Sequence, residues 1–146
     1  MSSTALMIRD ALLTGSGSLL TPNTSLVYVC KGPRDKPYTS YPWAEVMLGN
    51  AETTRHFTGP VDYSMPVSII VHGKTEEQTV LAMEQVTALY EGSSAVWIAL
   101  KATSLGSDQL LDLAPVEGQG SYQYDGANNE HIGYIEMRLR YRKAVS

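Results

Sequence analysis

The chain has a single cysteine, Cys30, in 146 residues, so no internal disulfide can form. A reducing compartment during folding is the simpler assumption. Cys30 lies inside the apolar run Leu26-Val27-Tyr28-Val29-Cys30 with no histidine near it in sequence, which reads as a buried structural thiol and not a nucleophile. Long hydrophobic runs are lacking too: residues 5–13 are interrupted by Arg9 and Asp10, and the opening Met1-Ser2-Ser3-Thr4 has no basic region. Neither a membrane span nor a secretory signal is expected, and the chain reads as soluble and made in the cytoplasm. Charge of one sign is weak, at −4 overall, which argues against a general nucleic-acid binder.

The signatures of common chemistries are missing as well. There is no Gly-x-Ser-x-Gly, and Gly73-Lys74-Thr75 does not complete a Gly-x4-Gly-Lys-Ser/Thr loop, since Ser68 stands where the first glycine would be. His56, His72 and His131 show no His-x3-His spacing and no neighbouring cysteine pair, so no metal site is expected. The glycine pairs at 15 and 17 and at 118 and 120 do not join a strand to a helix in a nucleotide-binding unit. Asp125, Glu130 and His131 could gather on one loop, where acids are usually just solvated. The expectation is therefore a protein without catalytic residues, metal or cofactor.

What is there is a domain. Apolar residues make up 43% and charged residues 18% of the chain, the balance of a globular fold over residues 1–146. Its clearest stretch is 133–142. Ile135, Met137, Leu139 and Tyr141 alternate with Glu136, Arg138, Arg140 and Arg142, the period of two of a strand with one face on a core. The arginines then stand about 7 Å apart along one face, two rises of the strand. Such a row can be a solvated outer face that discourages edge pairing, or it can meet acids of a neighbouring subunit, such as Glu45, Glu52 or Glu76. Phosphate is a poorer match for an acidic chain.

Before this strand the spacing predicts a short helix over 5–13, apolar on nearly all sides and stopped at Gly15. Strands follow over 26–31 and 42–48, with 52–57 as hairpin partner of the second, and a long strand over 61–72. Thr75-Glu76-Glu77-Gln78 is a capping box that opens a second helix ending before Gly92. Thr79, Ala82, Met83, Val86, Leu89 and Tyr90 form its sheet-facing stripe, while Leu81 and Ala88 fall outside it as a small second apolar patch. Residues 95–100 are ambiguous between strand and short buried segment, and 109–114 read as strand. Residues 115–129 read as a long glycine-rich loop carrying Tyr122 and Tyr124. The fold class expected is α+β: a mostly antiparallel sheet packed against two helices.

The order of elements, together with Ile8-Arg9-Asp10-Ala11-Leu12, Asp62-Tyr63-Ser64-Met65-Pro66-Val67 and Ile135-Glu136-Met137-Arg138-Leu139-Arg140-Tyr141, resembles the tail terminator (tail completion) proteins of long-tailed bacteriophages, the lambda-type minor tail proteins. The resemblance spans nearly the whole chain and rests on pattern more than identity. It implies a virion protein, assembled in the host cytoplasm, that forms a homohexameric ring on the head-proximal end of the tail tube. Its partners would be itself, the tail-tube protein and the head–tail connector or neck protein, with genome DNA passing through the channel and no membrane involved. Arg138, Arg140, Arg142, Leu81 and Ala88 are then expected at a subunit interface or channel wall, and Tyr122 and Tyr124 at a surface docked to the tail or neck. A neighbouring head–tail connector or tail-tube subunit is the alternative, and a small-molecule-binding or enzymatic α+β domain a further one.

Overall fold

The computed structural model describes residues 24–31, 40–49, 52–55, 61–90, 98 and 109–143. Six strands lie within them: β1 (Tyr28–Lys31), β2 (Trp43–Leu48), β3 (Glu52–Arg55), β4 (Val61–Gly73), β5 (Gln109–Asp125) and β6 (Glu130–Lys143). One helix, α1 (Glu76–Ala88), follows β4. The strands form one sheet in the order β1-β2-β4-β6-β5, with β3 also paired to β4. β1 runs parallel to β2 and every other pair is antiparallel.

This corrects the expected fold class. The described chain is mostly a mixed β-sheet with one helix, and not a sheet carried on two helices. The helix expected over 5–13, the loops on either side of β1 at 14–23 and 32–37, and the ambiguous segment 95–100 apart from Ile98 lie outside the described residues. The stretch expected as a loop over 115–129 is also corrected: β5 runs 17 residues to Asp125, and only four residues turn the chain into β6. Its glycines and proline mark an irregularity inside a strand. The pairing slips between Pro115 and Gly120, where five residue steps along β5 correspond to two along β6, from Met137 to Ile135.

The pairing assigns side chains to two faces. On one lie Val46, Val67, Ile69, Val71, Ile135, Met137 and Leu139, all buried, and Ala82 and Val86 of α1 join the same core. The stripe expected on this helix is the one buried. Thr75 caps α1 by accepting from the Gln78 amide at 3.2 Å, while Gln78 reaches back to the amide of Lys74, one residue earlier than the usual box, at 2.7 Å. The second face holds Trp43, Glu45, Ser68, His72, Glu130, Glu136 and the three arginines.

The hairpin expected between 42–48 and 52–57 does not form. β2 and β3 lie one after the other along the same edge of β4, β2 opposite 67–72 and β3 opposite 61–64. Pro66 explains the interruption. Its carbonyl accepts from the Gly49 amide at 2.8 Å, so its ring nitrogen, which has no proton to give, faces the same edge. A ladder cannot continue past it there, whereas the pairing with β6 on the other side runs unbroken from Val61 to Gly73. A β-carbon on Gly49 would lie 2.4 Å from Cγ of Pro66, so only glycine fits at this crossing.

Candidate functional site

Three groups of polar or exposed side chains stand out. The first is a buried cluster that joins β2, β4 and β6. His72 of β4 directs Nε2 to Glu45 of β2 at 2.6 Å and Nδ1 to Glu130 of β6 at 3.0 Å. All three are buried, Glu130 to 1% exposure. Tyr41 adds a hydroxyl bond to the other oxygen of Glu130 at 2.7 Å, and the Lys74 ammonium sits 5.2 Å from the centre of the Tyr41 ring. With both ring nitrogens engaged, the cluster is arranged to clamp three strands. Among the described residues no group of three or more His, Cys, Asp or Glu is placed to hold a metal.

Sequence reasoning missed this cluster. It treated Glu45 as an acid awaiting another subunit and Glu130 as a loop residue. The available signal was Glu45 alone between Trp43-Ala44 and Val46, and His72 at the end of an apolar strand: single polar residues in otherwise apolar runs, which need one another when buried.

The second group is the arginine row, and the expected alternation along β6 is observed. Arg142 makes a two-pronged pair with Asp62, Nε to Oδ1 at 2.6 Å and Nη2 to Oδ2 at 3.0 Å. That hydrogen bond first, and then the carboxylate charge, push the guanidinium further toward its protonated form, while burial acts the other way. Arg138 donates to the Ser64 hydroxyl at 3.0 Å and lies 4.0 Å from exposed Glu52. Two of the three arginines thus meet partners within their own chain. Arg140 differs: it is exposed, and among the described residues it makes no hydrogen bond or ion pair. Nearby, Ser68 donates to Glu136 at 2.9 Å, which extends the polar strip toward the buried cluster.

The third group lies on the opposite side of the sheet. Val80, Met83, Glu84, Thr87 and Ala88 of α1 and Ser121 and Tyr122 of β5 line a groove of about 610 Å³. Ala88 and Tyr122, expected in two separate roles, are therefore brought to one surface. Leu81, 52% exposed, lines the adjoining outer surface of α1 with Glu76, Glu77, Val80 and Glu84. Beyond the groove, the Tyr122 hydroxyl bonds Nδ1 of His131, and Tyr124 packs against the same ring at 4.9 Å and donates to Asn129 at 2.6 Å. Desolvation first, and then the Glu76 carboxylate, push the Tyr122 phenol above its ordinary value. The turn itself is held by Asp125, which accepts from the amide of Ala127 at 3.0 Å. The arginines and the α1 surface are not brought together in one chain.

No protein-family profile matches the chain. No curated protein matches it in sequence. Among solved structures, it is similar to a chain described as "Virion of native gene transfer agent (GTA) particle", with a TM-score of 0.50 and 14% identity, covering 79% of this chain and 78% of that one. At this identity the likeness is one of fold.

Proposed function

We propose that this chain is a structural virion protein, and more specifically a tail terminator: a homohexameric ring that caps the head-proximal end of a tail tube, ends its polymerisation and offers a surface for head joining, with DNA passing through its channel. The observation that carries the reading is the fold shared over 79% of the chain with a chain of a gene transfer agent virion. The resemblance in element order to tail terminators supports the finer station. The side chains agree with a structural role, since His72 is committed to two carboxylates at the centre of the sheet. Tyr122 and Tyr124, exposed on β5, supply stiff aromatic contacts for an adjoining ring. In this reading the protein has no catalytic activity and acts in the virion after assembly in the host cytoplasm.

The same likeness supports a second reading, a neighbouring connector or tail-tube subunit, because the printed description of that virion names no station along the axis. The two separate by location. A reconstruction of particles bearing this protein, with its density identified by an added tag, is expected to show a single six-fold ring between tube and neck. Deletion of the gene is expected to leave unjoined heads and overlong tubes. Density repeated along the tube, or a ring inside the head portal, would favour the second reading. Particles that lack the protein and form normally without it would remove both.

A further inference from the structure

We propose that copies of this chain associate head to tail, the Arg140 side of one sheet seating on the outer surface of α1 in the next copy. This rests on the self-assembling part of the reading above and names the surfaces that meet. The arginine row and α1 lie on opposite sides of the same sheet: Arg140 pairs across from Ser64 on the face away from the core, whereas α1 packs on the core face through Ala82 and Val86. Two patches on opposite sides cannot satisfy each other about a two-fold axis, so their contact repeats in one direction and closes as a ring or continues as a filament.

The charges of the two surfaces are complementary. Glu76, Glu77 and Glu84 are exposed on α1, and among the described residues none of them is ion-paired. Arg140 is the member of its row left without a partner among the described residues, between Arg138 and Arg142, which are engaged with Ser64 and Asp62. Pairing the α1 surface with itself would set Glu76, Glu77 and Glu84 against like charge, which disfavours a symmetric dimer through that surface, whereas the Arg140 side also carries Asp112, directly opposite Arg140 on β5. Apolar area to bury is present on the acidic side, where Val80 is 37% and Leu81 52% exposed. The charges set partner and orientation, and the apolar side chains supply burial.

The test uses the full chain with Arg140→Glu and Glu84→Arg as separate variants, each checked for an unchanged circular-dichroism melt. Assembly is read by sedimentation velocity and native mass spectrometry in low salt. Each reversal alone is expected to abolish the wild-type oligomer. Mixing the two variants is expected to restore it, since every contact in an alternating ring then pairs opposite charges, and the double variant should assemble as wild type does. A second measurement covers weak association: Arg140→Cys with Glu84→Cys, oxidised, should give a ladder of linked chains. Several outcomes overturn the proposal: an oligomer unaffected by either reversal, a loss that mixing does not restore, a loss with Arg140→Glu alone (which would assign the arginine to another virion protein or to phosphate), or no ladder from a monomeric chain. None of these touches the location of the protein in particles, so the virion reading stands or falls separately.

Discussion

Trp43 and His72 stand directly opposite each other on β2 and β4 and stack, their ring centres 3.9 Å apart and their planes 4° from parallel. One face of the imidazole is thus covered by indole while both its nitrogens meet carboxylates. The flat stack closes the ring from one side and fixes its plane between the two acids. The cluster fixes the relative position of three strands in the interior, where an unpaired charge is most costly.

Replacing His72 with leucine leaves Glu45 and Glu130 buried without the ring that bonds both. A loss of about 3–5 kcal/mol is expected, the usual result of removing one member of a buried charged group. Glu130→Gln should cost less, about 1–2 kcal/mol, because the amide oxygen can still accept from the ring while the amide NH2 can donate to the Tyr41 hydroxyl oxygen. Urea unfolding followed by tryptophan fluorescence measures both, and equal losses would contradict the arrangement.

Gly73 and Gly133 both lie under α1, but what crowds them differs. A β-carbon on Gly73 would lie 2.2 Å from Oγ1 of Thr79 and 3.0 Å from its backbone nitrogen, in the first turn of the helix. The Thr79 hydroxyl is itself bonded to the His131 carbonyl at 2.7 Å. On Gly133 it would meet Sδ and Cγ of Met83, a flexible chain that can swing aside. Gly73→Ala is expected to cost about 1–3 kcal/mol, typical of overpacking, and Gly133→Ala clearly less. Thermal unfolding of the two variants orders them, and the reverse order would refute this account of the helix–sheet contact.

Tyr90 closes the core at the end of α1, and its hydroxyl has no hydrogen-bond partner among the described residues. Burial pushes its phenol well above the ordinary value. Tyr90→Phe removes a buried polar atom that is not satisfied, so the variant is expected to gain up to about 1 kcal/mol near neutral pH. The sign of the pH effect follows from linkage. Below about pH 10 the phenol is protonated in both states and contributes nothing. Above it the unfolded chain releases the proton and the folded chain holds it, so stability falls as pH rises. The gap between variant and wild type should widen in alkaline urea titrations, and a gap independent of pH would show that the phenol reaches solvent.

Much of the sheet was legible in the sequence because alternation is a local property. The period of two along β6, the apolar alternation of β4 and the capping residues of α1 each depend on neighbours within a few positions. Pairing was less legible. Gly49 looked like the turn of a hairpin because glycine ordinarily serves turns, but its reason for being here is the Pro66 ring on another strand. Gly118 and Gly120 suggested a loop, when a strand paired on one side absorbs irregular residues as a slip in register. Glu45, His72 and Glu130 come from three separate strands, 27 and 58 residues apart, and nothing local announces that they meet. Arg140 was correctly placed on a face, but that among the described residues it is the one of its row without a partner depends on where Ser64 and Asp62 fall across the sheet.

The strand that bears the arginines is also the one that joins β5 to the rest of the described sheet. β6 sits between β4 and β5 and follows both in sequence. β4 and β5 do not pair with each other but each pairs with β6, and contacts as distant along the chain as those of β4 with β6 form late and slowly. The basic surface thus comes into existence in the same event that seals the core. A nascent chain that has not yet extended into β6 carries no Arg140, so this residue takes its place on the sheet only with the strand that bridges β4 and β5.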